Sequence, residues 1–481
     1  MAVSAIFSIL TPDIDHKVLI GRTTEREILT RCSTDNRSHF LVIYGRRRVG
    51  KTFLIRQQFN NQFDFYATGL ANADTRTQLT NFSLAVRKFH NHQEFPVPES
   101  WLEAFNQLIQ LLEASKSKKK IVFLDELPWM DTPRSKFLTG LEYFWNSWAS
   151  ARNDVLLIGC GSAASWMLNK LINNKRGLYN RVTRRIHLSP FKLSEVEKFL
   201  IDRKYKTNRY QILQLYMALG GIPFYLDLID PRLSVAQNIQ RIFFEENAPL
   251  ANEYDILLRS LFDDSDRHRE IIEALTKKKT GLTRKEILKE IDIEDGGGVT
   301  RTISELIASD FIRKYNKYGN KNRDAVYQLI DPFTLFHYRF VEHYQPQTNY
   351  WINQINTPAI YTWQGNAFEM LCLQHVDELK DAIGISGVQT NTSTWWGQGA
   401  QIDLIIDRKD QVINLIEIKF ALEEYVISKD YDAKLRKKVS AFKEETGSRK
   451  ALWTTMLTTY GLKENKYSSN VQLSLDMNDL F

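Results

Sequence analysis

The chain has 481 residues, 43% of them hydrophobic and 25% charged, and its 64 Lys and Arg against 57 Asp and Glu leave a net charge of +7. That length exceeds what one hydrophobic core organises and predicts about three domains of ~150 residues each. No apolar run reaches the ~20 residues of a membrane span, the three cysteines (Cys32, Cys160 and Cys372) are odd in number and far apart, which argues against a disulfide framework or cysteine metal site, and the mild positive charge permits nucleic acid as a partner without requiring it.

The first residues, Met1 to Phe7, lack the basic region and long apolar stretch of a secretory leader, so a reducing cytoplasm is expected. Leu19-Ile20-Gly21-Arg22, with Glu25 and Glu27 after it, reads as a turn into a helix. The hydrophobic strand Leu41-Val42-Ile43-Tyr44 then runs into Gly45-Arg46-Arg47-Arg48-Val49-Gly50-Lys51-Thr52, and Phe53 to Gln58 continue as a helix. Strand, G-x-x-x-x-G-K-[ST] and helix in this order make a phosphate loop, because backbone N–H groups at a helix N-terminus face phosphate oxygens. Gly45 and Gly50 allow the tight turn and close approach. Lys51 is placed to reach the β- and γ-phosphates of ATP, and Thr52 to offer its hydroxyl to Mg²⁺.

Phe63 to Ala67 alternate like a strand, and residues 74–92 and 101–114 look helical. After Lys118-Lys119-Lys120, the run Ile121-Val122-Phe123-Leu124 ends in Asp125-Glu126, as a buried parallel strand does when its C-terminal tip carries carboxylates. With the loop upstream, Asp125 is expected to hold Mg²⁺ and Glu126 to polarise the attacking water. Asp154 to Ser162 form a third strand, with Ser162 placed to sense a γ-phosphate or simply to end a turn. Arg181, between Gly177-Leu178-Tyr179-Asn180 and Arg184-Arg185, is a candidate for stabilising charge at a neighbouring subunit's γ-phosphate, the alternative being an ordinary surface or intramolecular arginine. Residues 193–219 look helical, and Gly220-Gly221-Ile222-Pro223-Phe224-Tyr225-Leu226 breaks that run.

Gly45 to Thr52, Leu124-Asp125-Glu126, Cys160-Gly161-Ser162 and Gly220 to Leu226 together resemble the archaeal-type ATPase family, P-loop proteins near the AAA and STAND groups. Gly21-Arg22 and Glu25 also resemble the lead-in segment of AAA-type ATPases. The resemblance covers roughly residues 18–250. It implies an ATPase core with a helical lid, and homo-oligomer assembly through that core.

Arg267 to Thr276 look helical, Thr283 caps a helix to Ile291, and Asp295-Gly296-Gly297-Gly298 turns into a third helix ending near Ile307. Phe311 to Tyr315 and Ala325 to Ile330 flank the polar tip Gly319-Asn320-Lys321-Asn322-Arg323. Three helices and a hairpin predict a winged helix, a fold that sets its third helix in a major groove and its wing on phosphates. Lys314, Lys317, Lys321 and Arg323 favour DNA, and Thr300 and Arg301 are the base-reading candidates. Glu305 and Asp310 are expected to dilute that face, and such modules also serve as protein–protein spacers.

Beyond Gln345-Pro346-Gln347, a helix is expected from Ala359 to Val376 with Pro358 as its opener, and it includes Glu369. Ala400 to Asp407 and Val412 to Phe420 form a hairpin across Lys409-Asp410. Asp403 lies early in one strand, and period-2 alternation puts Glu417 and Lys419 on one face of the next. Charges in an otherwise apolar strand require a reason. Asp403 and Glu417 suit a hard cation such as Mg²⁺, and Lys419 could orient or deprotonate a water attacking a phosphodiester. A plain strand-face ion pair is the alternative. Glu369, Asp403 and Glu417-Ile418-Lys419 resemble the PD-(D/E)xK nuclease superfamily and the nuclease-like domain that often follows archaeal-type ATPase cores. The basic segment from Lys429 to Lys450 is a solvated face, or a seat for a phosphate backbone.

The sequence thus predicts an α/β multidomain protein in three parts. Residues 1–250 form a P-loop parallel sheet with a helical lid, 251–345 a winged helix, and 346–481 a restriction-endonuclease-like α/β domain. ATP and Mg²⁺ are the expected cofactors and DNA the expected partner, with no membrane. A STAND-like switch, or a DNA-binding regulatory ATPase, with a catalytically silent C-terminal domain is the competing expectation.

Overall fold

The computed structural model describes residues 18–89, 95–173, 177–178, 180–262, 264–319 and 325–481. The chain divides into two units: Met1–Ile43, Gly50–Cys160 and Lys175–Ile186 in the first, Tyr44–Val49, Gly161–Asn174 and His187–Phe481 in the second. Among the described residues no helix is long and apolar enough to cross a membrane.

The first unit is built on a five-stranded sheet. In chain order it contains α1 (Thr23–Thr34), β1 (His39–Tyr44), α2 (Lys51–Gln58), β2 (Phe65–Thr68), α3 (Thr75–Phe89), α4 (Trp101–Ala114), β3 (Lys120–Asp125), β4 (Val155–Gly161) and β5 (Arg184–His187). The strand order is β2-β3-β4-β1-β5, and β2–β3 and β3–β4 pair in parallel. The strands are continuous apolar runs because a sheet covered on both faces has no solvent side to alternate toward. Phe82, Trp101, Phe105, Phe137 and Phe144 fill one such cover, with the Phe82 and Trp101 rings edge to face at 5.5 Å. The basic run ahead of β3 is used internally, since Lys119 Nζ donates to the carbonyls of Asp35, Arg37 and Asn153.

The second unit carries the elements that follow β5. The stretch expected as one helix over 193–219 is two, α5 (Leu193–Asp202) and α6 (Arg209–Leu219). Tyr205 N–H closes back on Leu200 O at 2.9 Å, and Asn208 and Gln211 form a reciprocal cap that starts the next helix. Then come α7 (Val235–Phe243), α8 (Glu253–Leu261), α9 (Ser265–Thr276), β6 (Leu282–Thr283), α10 (Arg284–Glu290), α11 (Gly297–Ala308), β7 (Ile312–Tyr315) and β8 (Val326–Leu329). The last three strands form an antiparallel sheet ordered β6-β8-β7, so the expected three helices and hairpin are present together with an unforeseen short strand. Lys321 and Arg323 lie outside the described residues. Glu305 and Asp310, expected to dilute an outward face, turn inward instead: Glu305 is bound to His268 at 2.8 Å and Asp310 to His187 at 3.1 Å. Lys317 is tied to Glu445 at 3.3 Å.

The expected C-terminal helix is α12 (Pro358–Gln374), and a second short helix, Val376–Ala382, follows it. After these come β9 (Thr390–Gly397), β10 (Ala400–Arg408), β11 (Val412–Lys419), α13 (Lys429–Thr446), β12 (Ala451–Thr458) and β13 (Leu473–Leu475). They make a mixed sheet ordered β13-β12-β11-β10-β9, antiparallel from β9 to β11 and parallel from β11 to β13. Trp395, Ile405, Ile413 and Phe442 pack α13 onto it. All three cysteines are free and buried.

Candidate functional site

The loop after β1 turns as its glycines require. Gly45 has φ 149° and Gly50 φ 92°, the left-handed region that favours glycine, and a side chain on Gly45 would strike the Leu188 carbonyl. In the first unit, α2 begins at Lys51, which is buried together with Asp125 at the tip of β3. Thr52 Oγ1 donates to Asp125 Oδ2 at 2.8 Å, and Glu126 N–H donates to Asp125 Oδ1 at 3.0 Å. The hydroxyl and the carboxylate that sequence assigned to one cation are therefore in direct contact, and a hydroxyl with a carboxylate is a hard-oxygen donor set that suits Mg²⁺. Glu126 is half-buried at φ 48°, and Gly69 makes room for it, since a Cβ there would lie 2.5 Å from Glu126 O. Arg181 is exposed, its N–H donating to Leu178 O at 3.1 Å.

The front of the loop, Tyr44–Val49, belongs to the second unit. Arg46 is fully buried, its guanidinium 2.5 Å from Asp331 Oδ1 and 4.8 Å from the Phe311 ring centre. Asp331 also caps the short helix Pro332–Phe336, accepting from Thr334 N–H at 3.0 Å. Arg48 pairs with buried Glu253 and stands 4.3 Å over Phe224, while Tyr225 OH donates to Glu253 at 2.8 Å. Arg47 is half-buried, Val49 buried, and Ser162 buried beyond β4. Nothing in the residue pattern distinguished the structural pairs of Arg46 and Arg48 from phosphate contacts, because their acids lie some 200 or more residues away.

The C-terminal candidates lie on α12, β10 and β11. β10 and β11 run antiparallel with Leu404 opposite Ile416, and the β9–β10 register shifts between Ile402 and Ile405, the stretch that contains Asp403. Asp403 Oδ2 accepts from Ile418 N–H at 3.1 Å. Lys419 Nζ is 3.7 Å from Glu417 on the shared strand face. Glu369, Asp403 and Glu417 are all buried. Burial first, then the Asp403 charge, raises the pKa of Glu369 and of Glu417, and the lysines beside them oppose the rise.

Three residues that sequence did not single out complete this centre. Lys438 Nζ on α13 is 2.6 Å from Glu417, Tyr431 OH donates to Glu417 at 3.4 Å, and Lys279 forms an ion pair with Glu369. Lys438 sits within the basic run, where helical spacing alone cannot say which lysine turns inward. By chemistry, three carboxylates suit a hard divalent cation. As arranged, no group of three or more His, Cys, Asp or Glu among the described residues is set to hold one, and lysine ammoniums supply the counter-charge.

Comparison with known proteins bears on both ends of the chain. Residues 19–229 match a family model described as an ATPase domain predominantly from Archaea. This segment carries an ATPase domain of the archaeal type. Residues 336–430 match a family described as "Archaea bacterial proteins of unknown function". An uncharacterised protein of Methanocaldococcus jannaschii is 24% identical over 426 residues, 87% of this chain and 92% of its own. The Walker-type ATPase of Pyrococcus abyssi shares the fold at TM-score 0.51 and 17% identity, across 69% of this chain and 99% of that one. A weaker likeness, TM-score 0.36 at 14% identity over 68% and 94% of the two chains, links it to the Aeropyrum pernix Orc1 protein solved in complex with DNA.

Proposed function

We propose that this protein binds and hydrolyses ATP with Mg²⁺ at the Gly45–Thr52 loop, and that its nucleotide state controls a Mg²⁺-dependent nuclease centre built on Glu369, Asp403, Glu417 and Lys419. One observation carries the reading: the contact between Thr52 Oγ1 and Asp125 Oδ2 joins the loop and the strand tip that must share a cation. The proposed division is an ATPase core with lid in residues 1–250, a winged helix in 251–345 and a nuclease-like domain in 346–481.

In the first centre Lys51 and the loop amides bind the phosphates, Thr52 and Asp125 hold the metal, and Glu126 takes the proton of the attacking water. Arg181, exposed on its own subunit, acts on a neighbouring copy. In the second centre Glu369, Asp403 and Glu417 would hold the metal once the lysines that now pair with Glu369 and Glu417 give way, and Lys419 would position the water against a DNA phosphodiester. Mg²⁺, when bound, neutralises charge gathering on the phosphate oxygens at either centre. Thr300 and Arg301 on α11 are exposed, and Arg301 is paired with Glu305 at 2.8 Å, a contact that a DNA partner would exchange for its own. Arg46 and Arg48, clasped by Asp331 and Glu253, fix the front of the loop.

A second reading, a nucleotide-driven switch with a silent C-terminal domain, is favoured by the lysines that already neutralise the carboxylates. Supercoiled plasmid incubated with the protein, Mg²⁺ and ATP separates the two. The nuclease reading expects nicking that stops in Glu417→Ala and Lys419→Ala, and cutting that persists in both variants removes that centre from consideration.

A further inference from the structure

The loop between α9 and β6 carries three lysines with different partners. Lys277 Nζ is 3.0 Å from Glu290 and Lys278 Nζ 2.7 Å from Glu286, so these two fasten the loop to α10 at the surface. Lys279 points the other way, into the C-terminal centre, and pairs with Glu369 on α12. Its ammonium is held in the charged form against the cost of its burial by Glu369 first, then by Asp403 and Glu417, so it feels all three carboxylates of the proposed metal site. Lys279 on Glu369, with Lys419 and Lys438 on Glu417, thus gives two of the three carboxylates ammonium partners without any metal.

Contact sets the same condition as charge. The Lys279 ammonium lies against a Glu369 carboxylate oxygen, and an oxygen that holds the ammonium is not at the same time a ligand for a divalent ion. The loop itself is fastened at its backbone. Gln328 Nε2 donates to Lys279 O at 2.6 Å, Tyr315 OH donates to Thr280 O, and Gly281 takes φ 77° with its Cα against the Tyr327 carbonyl. Both donating side chains belong to the β7–β8 hairpin. The Lys279 side chain is 43% exposed whereas that of Glu369 is 6% exposed, so the lysine can leave for solvent while the acid cannot.

We infer that Lys279 is a resident counter-cation that competes with the divalent metal for Glu369, so that withdrawal of the α9–β6 loop arms the C-terminal centre. This rests on the proposed metal site and names its regulation. A ligand that pulls on the three-helix module, DNA along α11 being the one proposed above, shifts the balance toward metal by moving the loop that holds the lysine.

The test measures Mn²⁺ binding to the full-length, nucleotide-free protein by isothermal titration calorimetry. Lys279→Met, which keeps the stem and removes the charge, is expected to bind at least tenfold tighter than wild type, and Lys278→Met and Lys279→Arg to bind as wild type does. Binding in every case should vanish with Glu417→Gln. Equal affinity in wild type and Lys279→Met overturns the competition and leaves the metal site standing. Absence of Glu417-dependent binding in both overturns the metal site and the competition with it. Should Lys279→Met not fold, acylation of Lys279 in the wild-type protein replaces it: its rate, read by mass spectrometry, is expected to rise with Mn²⁺ while that of Lys278 stays constant, and an unchanged Lys279 rate overturns the proposal.

Discussion

The ion pair between Arg46 and Asp331 is where the phosphate loop is most exposed to perturbation from within the second unit. Both side chains are almost completely removed from water. Removing one member of such a pair costs about 3–5 kcal/mol, because the survivor is a buried charge without compensation. Asp331→Ala also removes the N-cap of the helix Pro332–Phe336, worth ~1 kcal/mol, so its total loss is ~4–6 kcal/mol. Asp331→Asn keeps a capping oxygen and should lose the ion-pair part alone. The double variant Arg46→Met with Asp331→Leu leaves no buried charge and fills the space against Phe311 and Phe333, so it should lose only ~1–2 kcal/mol. Urea unfolding of the nucleotide-free chain, followed by tryptophan fluorescence, reads all three. A single variant within ~1 kcal/mol of wild type, or a double variant that loses as much as Asp331→Ala, would refute the account of this pair.

Three other outcomes follow from the geometry. Glu126→Gln should retain ATP in filter binding while phosphate release falls ~10²–10⁴-fold, the span of a positioned general base; undiminished release would remove that role. On the proposal that Arg181 acts on a neighbouring copy, Arg181→Ala and Lys51→Ala should each be inactive alone and regain hydrolysis when mixed; no recovery on mixing would place Arg181 outside the neighbour's site. His375 is a buried neutral imidazole, its Nε2 accepting from Leu193 N–H at 3.1 Å and its Nδ1 bonded to Leu371 O at 2.8 Å. Burial, with Lys192 adding to it, depresses its pKa from 6.5 to about 3. The unfolded chain therefore takes up this proton first on acidification, so the stabilisation is complete above pH 6.5 and declines as pH falls toward 3, by up to ~1.4 kcal/mol per unit. His375→Gln should flatten the slope of urea stability between pH 6.5 and 5. An unchanged slope would assign the acid sensitivity elsewhere.

What the sequence made legible is what short-range patterning controls. Gly45 to Thr52 and Leu124-Asp125-Glu126 are contiguous signals whose chemistry is fixed by the backbone around them, and the structure brings Thr52 and Asp125 together. Alternation placed Glu417 and Lys419 on one face because a strand has no other choice. Contacts made by folding over distance were not legible. Lys279 belongs to a surface-like run of three lysines, and only the packing of its loop against α12 distinguishes it from its two neighbours. Glu305 reads as an outward acid until His268, 37 residues earlier, turns out to be its partner. The break within 193–219 had a local cause, the cap at Asn208, that the apolar spacing on both sides concealed.

The three thiols have a use that their burial creates. Burial raises the pKa of each, so none presents a thiolate to solvent in the folded chain. Cys32 lies on α1, Cys160 in β4, and Cys372 on α12 three residues beyond Glu369. A thiol reagent reaches each one only when its own element opens, so alkylation rates separate three local stabilities without an added label. Cys372 then serves as a clock for the helix that carries Glu369. If it labels more slowly than Cys32, the helix that carries Glu369 outlasts the helix that precedes β1, and the C-terminal sheet keeps its cover after the first unit has begun to open.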